Sequence, residues 1–426
     1  MNELLTSTEV TLKPDPSRTI VRPFAPEYPG AFGDPARPRA QVIVDRILAM
    51  DEAAVAEERR NVVQSLDERH RDVDDMLLRR FHEVEALDVA CDGVRTDQAM
   101  LIGAYFCEEY SYEAAALFNP SIVLHPDQKD APAGAVKFVM SLRAIGEGHV
   151  SSVTFRAGLW DADDRVTVKD PRPISVAPII DQRDVEQDQT TLRWPNDVGS
   201  ATPVLFPLTP SQRQGIEDMR LVRFEDEGKT QYFGTYTAFN GLEARSELLE
   251  TDDFLTFNLR PMTGNAAAAK GMALFPRKVG GRYAMLSRQD SENIWLMMSD
   301  DIRHWEGGHK LIEPRYPWEF VQMGNCGSPI EIDEGWLVLT HGVGTVRNYC
   351  MGAALLDKDD PSKVLARTPR PIVEPSPGER DGYVPNVVYS CGSLANGRRL
   401  LLPYGVADYF TTLATLSIDD LLAAMV

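Results

Sequence analysis

From about residue 95 onward the chain repeats a two-strand unit, and this repetition constrains its fold more than any other feature. Each copy holds one apolar strand ending in a polar or aromatic residue, then a second strand running into an acidic turn. The copies are AVKFVMSLRA with HVSSVTFRAGLWDADD, KTQYFGTYTAF with a less clear partner, GGRYAMLSRQ with NIWLMMSDDIRHW, EGWLVLTHGV with YCMGAALLDKDD, and GRRLLLPYGV with FTTLATLSIDD. Five copies in this length leave about 65 residues each, enough for a four-stranded blade with long loops. Radial repetition of such blades predicts an all-β fold, a five-bladed β-propeller over residues 96–426. A long sandwich or a β-solenoid is the alternative, but solenoid repeats are usually shorter and more regular.

The stretch before the repeats has a different period. Over residues 39–95, Val42, Ile43, Ile47, Leu48, Val55, Val62, Val63, Leu66, Val73, Met76, Leu77 and Phe81 recur at three- and four-residue steps amid acidic and basic residues. That spacing predicts two amphipathic helices, an N-terminal helical extension packed on the rest of the chain. Their apolar stripe also offers a subunit contact in a homo-oligomer. Residues 1–38 are rich in proline and polar side chains and read as an extended arm.

A net charge of −20, from 44 Lys and Arg against 64 Asp and Glu, repels phosphate backbones and anionic lipid, so nucleic acid and membrane are excluded as partners. The five cysteines are widely spaced and lack paired zinc spacings, so no metal is expected. The first residues lack a basic segment followed by an apolar one, and no later stretch reaches the roughly 20 apolar residues needed to cross a bilayer. The expectation is a soluble, cytoplasmic protein.

In a propeller, corresponding strand ends meet around one pocket. The repeated strands end in Arg143, Tyr236, Arg288, His341 and Tyr404, with Asp408 just beyond the last. Basic residues gathered on so acidic a chain point to an anionic ligand. A carboxylate for proton transfer is offered by GIEDMRLVRF, which places Glu217 and Asp218 at the head of a strand. Adjacent strand residues face opposite ways, so only one of the two is expected in the pocket.

The ordered segments FNPSI, GIEDMR, YTAF, ALFPRKVGGRYAMLSR, GWLVLTHGV, YCMGAALLD and LPYGVAD resemble the motifs of glycoside hydrolase family 130, the β-mannoside phosphorylases and related β-1,2-mannosidases. The resemblance covers about residues 100–426 and implies a five-bladed propeller. It implies Asp218 as proton donor, in some members acting through a hydroxyl of the sugar. It places Asn119, Arg143 and Asp408 in motifs that hold the mannosyl unit, and Lys278, Arg288, His341 and Tyr349 in or near motifs that hold phosphate. The chain departs from the family's Glu-Asp-Pro-Arg motif at Met219, which frees a backbone N–H. The segment RAIGEGHVSSVTFRAG is longer and more polar than the family pattern.

The reaction so implied is cleavage of a β-linked mannoside by inorganic phosphate, with inversion, to give mannose 1-phosphate and no other cofactor. Inverting hydrolysis in the same fold is the rival and needs a second carboxylate, for which Glu147 and Glu217 are the candidates. A non-catalytic carbohydrate-binding propeller is the third reading. His125 and His149 read as hydrogen-bonded structural groups, with His149 and its loop beside Arg143, and Cys326 reads as a small buried residue.

Overall fold

The computed structural model describes residues 4–28, 38–86, 89–91, 93–171, 174–184, 188–195, 197, 203–378 and 380–426. The chain forms two compact units, one of residues 17–111 with 172–177, the other of residues 1–16, 112–171 and 178–426.

The arm contains two strands, β1 (Thr6–Leu12) in the larger unit and β2 (Thr19–Pro23) in the smaller. The helices follow: α1 (Arg39–Leu48), α2 (Glu52–Asp67), α3 (Val73–Glu85) and α4 (Thr96–Tyr105). Where the sequence predicted two helices over 39–90 there are three. Asp51 ends the first turn of chain by capping α2, its carboxylate accepting from Ala54 N at 2.8 Å. A second break falls at Asp72, whose φ is 51°. α4 lies inside the stretch read as all-β from residue 96. It is apolar on nearly every side and buried from Gln98 to Gly103, so it carries no helical period to read. Gly103 lets α4 meet α3 closely, since a Cβ there would stand 2.0 Å from the Leu77 carbonyl oxygen. β3 (Cys107–Ser111) pairs with β2.

The larger unit is a succession of antiparallel meanders. The first comprises β4 (Ala116–Leu124), β5 (Val136–Ile145), β6 (Ser151–Trp160) and β7 (Val166–Val168). β8 (Ile179–Asp184), β9 (Gln189–Arg193) and β10 (Val204–Leu205) come next. The second meander is β11 (Gly215–Asp226), β12 (Lys229–Phe239), β13 (Ala244–Thr251) and β14 (Thr256–Pro261), extended by β9 and β8. The third is β15 (Lys270–Leu274), β16 (Tyr283–Arg288), β17 (Ile294–Ser299) and β18 (His309–Ile312). The fourth orders β19 (Gln322–Asn325), β21 (Gly335–Val343), β22 (Tyr349–Leu356) and β23 (Val364–Arg367), with β20 (Ile330–Ile332) beside β21. The fifth orders β24 (Val388–Tyr389), β26 (Arg399–Val406), β27 (Phe410–Ser417) and then β1, with β25 (Leu394–Asn396) beside β26. A short helix, α5 (Ile418–Ala423), follows.

The core explains why the repeated strands read as nearly continuous apolar runs. Along β21, Trp336 and Val338 join a cluster with Leu286 and Leu296 of the third meander. Their neighbours Leu337 and Leu339 join another with Leu400 and Leu416 of the fifth. Alternate side chains thus enter two different cores, and both faces of the strand are buried. A third cluster joins Phe224 and Phe233 of the second meander to Met285 and Met297 of the third. At the head of the first meander, Arg156 grips Glu113 through both carboxylate oxygens at 2.9 and 3.0 Å, with both side chains buried.

Removing one partner of a buried pair strands the other charge, at a cost of about 3–5 kcal/mol. Arg156→Ala should therefore lower the unfolding free energy measured in urea by about that amount, whereas an Arg156→Met, Glu113→Leu double variant should lose much less.

Candidate active site

The first strands of the first three meanders break register at matching places. The irregularity lies between Phe118 and Ser121 in β4, between Glu217 and Arg220 in β11, and between Lys270 and Ala273 in β15. In the first two, the displaced residue is left-handed: Asn119 has φ 47° and Asp218 has φ 53°. Asn and Asp tolerate that region better than other side-chain-bearing residues, and such bulges re-aim side chains. The Asn119 amide accordingly donates to the Asp218 carboxylate at 2.6 Å. Met219 occupies the other half of the bulge and is buried near Gly234.

The bulge also overturns the expectation that Glu217 and Asp218 face opposite ways. Arg143, near the end of β5, donates to Glu217 at 2.8 Å and to Asp218 at 3.1 Å. Strict alternation fails because the left-handed Asp218 interrupts it. Arg143 is fixed in turn by Ser151 Oγ at 3.0 Å. Arg220 donates to the Asp218 carbonyl at 2.9 Å and to the Tyr389 hydroxyl at 2.8 Å. Tyr389 stands against the His341 ring, 4.8 Å between centroids, and Arg288 meets His341 Nε2 at 3.2 Å. The Tyr349 ring stacks on His341 at 6.2 Å. Lys270 is the cross-strand partner of Arg288 and reaches Glu217 at 4.0 Å.

Asn119, Arg143, Asp218, Arg288, His341 and Tyr349 are thus brought into one network, with Asp408 near enough to act electrostatically on Asp218 and Arg143, whereas Lys278 and Tyr236 are bound elsewhere. Lys278 bonds Asp226 at 2.7 Å. Asp226 ends β11 eight residues beyond Asp218, about 26 Å along a strand. The lysine that the fold brings near Asp218 is Lys270. Tyr236 sits opposite Glu247 on β13 and donates to its carboxylate at 2.7 Å in a buried pair. Tyr404 packs against the core between the fourth and fifth meanders. The repeated strands named above are the second of each meander, and alternation sends only some of their terminal side chains toward Asp218, so Tyr236 turns to β13 instead; Lys278 lies in the β15–β16 turn.

Arg220, Lys270 and Tyr389 were missed. Arg220 lies within GIEDMR itself, two residues from Asp218, and that proximity was the available signal. Glu147 is exposed at the tip of the β5–β6 loop. His125 holds the β4–β5 loop by accepting from Asp127 N at 2.9 Å. Burial pushes the Cys326 thiol up to about 12, so it is not a nucleophile near neutral pH.

Electrostatics separates the two aspartates. Burial works to raise Asp218, but Arg143, Arg220, the Asn119 amide and Lys270 outweigh it and hold the carboxyl below its usual range. Asp408, left-handed at φ 48°, is raised to about 6 by burial and by the Asp218 charge, against the pull of Arg143 and Arg347. His341 is held well below its ordinary range by burial, Arg288 and Arg220, so it is neutral. Among the described residues, Asn119 Oδ1, Arg220 Nε, Arg288 Nε and Asn325 Oδ1 are buried without a hydrogen-bond partner. Such atoms carry a desolvation cost that a polar ligand offsets. No group of three or more metal-ligating side chains occurs among the described residues.

The family model of glycoside hydrolase family 130, described as β-1,4-mannooligosaccharide phosphorylase, matches residues 195–426. A 1,2-β-oligomannan phosphorylase of a Thermoanaerobacter species is 34% identical over 224 residues, spanning 51% of this chain and 74% of that protein. A β-1,2-mannobiose phosphorylase of Listeria innocua is 35% identical over 230 residues, spanning 52% of this chain and 62% of that protein. The solved structure of β-1,2-mannobiose phosphorylase from Listeria innocua, in complex with β-1,2-mannobiose, aligns with a TM-score of 0.50 and 25% identity over 74% of this chain and 92% of that one. The chain belongs to glycoside hydrolase family 130. Asp218, Arg220, Lys270, Arg288, His341, Tyr349 and Asp408 lie inside the matched region, and Asn119 and Arg143 precede it.

The raised Asp408 predicts a pH-dependent stability. A carboxyl whose folded pKa exceeds its unfolded value of about 4 favours the fold below that value and loses the contribution as pH rises through about 6. Above pH 6 the penalty is on the order of 3 kcal/mol. Asp408→Asn, which cannot ionise, should match the wild type in urea denaturation near pH 4 and exceed it by up to about that amount at pH 8.

Proposed function

We propose that the protein is an inverting β-mannoside phosphorylase, cleaving a β-linked mannoside with inorganic phosphate to give α-mannose 1-phosphate and the freed acceptor sugar. The observation that carries this reading is the set of Arg220, Lys270, Arg288 and neutral His341 gathered around Asp218 on a chain of net charge −20. Arg143, Arg220, Lys270 and Arg288 set against Asp218, Glu217 and Asp408 leave an excess of positive charge that, on so acidic a protein, is suited to an anionic co-substrate. The phosphorylase names of the relatives support the same reading.

Five successive meanders, with apolar clusters drawing on neighbouring ones and β1 completing the sheet of the final strands, support a five-bladed propeller as the scaffold. In that scaffold the bulged first strands line the axial pocket. Among the described residues no helix is long and apolar enough to cross a membrane. We place the enzyme in the cytoplasm with no cofactor beyond phosphate, and leave a subunit contact through the helices as a proposal of the same standing.

Asn119, Arg143 and Asp408 hold the mannosyl unit, and Asp218 supplies the proton for the leaving oxygen, directly or through a sugar hydroxyl. Asp218 is ionised in the free protein because its cationic neighbours favour the charged form. Phosphate bound beside Arg288 and Lys270 offsets those cations, weakens their hold and lets Asp218 take up a proton. Phosphate then attacks from the opposite face, and the same cations stabilise its charge through the transition state. No catalytic base is required. For hydrolysis, Glu217 is a poor base because Arg143 binds it on the same side as Asp218, and Glu147 is exposed on a loop.

Two variants separate these roles. Asp218→Asn should lower kcat by roughly a hundred- to ten-thousandfold, the usual worth of a general acid, with phosphate KM little changed. Arg288→Ala should raise phosphate KM by about ten- to a hundredfold, as expected for a charge-assisted contact, and His341→Ala by only a few-fold because the imidazole is neutral. Steady-state kinetics at varied phosphate checks both; equal kcat losses with no change in phosphate KM would sink the division of labour.

A further inference from the structure

The polar loop between β5 and β6, in which this chain departs from its family's pattern, is tied to a residue 234 positions away. The Tyr383 hydroxyl meets His149 Nδ1 at 3.2 Å, and the two rings lie 5.7 Å apart at 39°. His149 is left-handed at φ 60° and follows Gly148 at φ 67°, the same turn that Val346 and Arg347 make between β21 and β22, so the turn sets the direction of this ring. Tyr383 is 52% exposed and His149 is exposed. An exposed aromatic pair held in one orientation is a surface with an apolar face and a polar tip.

Its place relative to the site follows from the neighbours. His149 stands two residues before Ser151, which fixes Arg143. Tyr383 is flanked by contacts with the turn that carries Asp408. A Cβ on Gly382 would lie 2.5 Å from the Ala407 Cβ, and Val384 N donates to the Ala407 carbonyl at 2.9 Å. The pair therefore bridges the Arg143 side of the pocket to its Asp408 side. From Asp408 the rim continues through Arg347, over the Tyr349 ring at 5.9 Å, to His341 and Arg288. In an inverting displacement the nucleophile and the leaving group occupy opposite faces of the reacting carbon. Arg288 and His341 mark the phosphate end, and the Tyr383–His149 pair adjoins Arg143 and Asp408 instead.

We propose that Tyr383 and His149 form the wall that receives the leaving-group sugar, a hexopyranose whose C–H face lies on the tyrosine ring, and that this pair selects the acceptor. The inference rests on the phosphorylase reading for its kinetic form but not for its binding form. Neither residue touches the reacting atoms. They act as specificity-determining residues.

The test uses the full chain with Tyr383→Ala, Tyr383→Phe and His149→Ala. Calorimetric titration with β-1,2-mannobiose should show about three- to tenfold weaker binding for Tyr383→Ala, the worth of one aromatic face, and an intermediate loss for Tyr383→Phe, which keeps the ring but not the bond to His149. In the synthetic direction the acceptor KM should rise by the same factor while the KM for mannose 1-phosphate stays unchanged. A general loosening of the fold would move both constants together, and that result overturns the proposal, as does unaltered mannobiose binding. A wild type that binds mannobiose without any phosphate-dependent reaction defeats the phosphorylase reading alone, and the wall is then judged by the binding data. A wild type that binds no mannobiose overturns both.

Discussion

Everything at the centre of this protein depends on two register breaks facing each other. In β4 and β11 the strand stops alternating for one residue, and that residue, Asn119 or Asp218, turns left-handed toward its counterpart across 2.6 Å. A regular strand would send Asp218 to the face opposite Glu217 and leave Arg143 with one partner. The bulge instead gives Arg143 two carboxylates, and Arg143 is held by Ser151 from the next strand. Backbone strain of this kind costs on the order of 1–3 kcal/mol per residue and persists only where the surroundings enforce it. Here the enforcement is two-sided burial: alternate residues of strands such as β21 enter separate apolar clusters, so the frame around the bulges cannot relax.

The same arrangement sorts charge. Asp218 sits among Arg143, Arg220, Lys270 and the Asn119 amide and is kept ionised, while Asp408, desolvated by burial and facing the Asp218 charge, is raised to about 6. His341 is neutral for a related reason, since burial and two guanidinium groups all oppose its protonation. A site whose cations, Arg143, Arg220, Lys270 and Arg288, outnumber its carboxylates, Asp218, Glu217 and Asp408, is poised to receive an anion. Binding that anion is what would move Asp218 toward the protonated form its proposed role requires, so phosphate is both reactant and electrostatic trigger in this account.

Much of this was legible in the chain itself, and the limits have physical causes. The meanders were visible because their second strands are long, apolar and recur. Their first strands are less conspicuous because bulges and polar residues interrupt them, and those interruptions are where Asn119, Asp218 and Lys270 lie. Reading the recurring strands as the pocket lining named Arg143, Arg288 and His341, which the structure joins in one network with Asp218, and also Tyr236, whose hydroxyl turns to Glu247. Lys278 was named because four basic residues, Arg277, Lys278, Arg282 and Arg288, crowd one segment, and only the pairing of β15 with β16 shows that Lys270 stands opposite Arg288. β1 was invisible as a strand, since its partner is β27, some 400 residues away, and nothing local marks that pairing. α4 escaped for the opposite reason, an apolar surface on nearly every side.

The central claim is that phosphate, not water, receives the mannosyl unit. It is tested most directly by following the wild-type protein with β-1,2-mannobiose by phosphorus and proton NMR, with and without inorganic phosphate. The account predicts α-mannose 1-phosphate formed in equal amount to free mannose when phosphate is present, and no cleavage when it is absent. Release of mannose at the same rate without phosphate, with no phosphate ester formed, would contradict it.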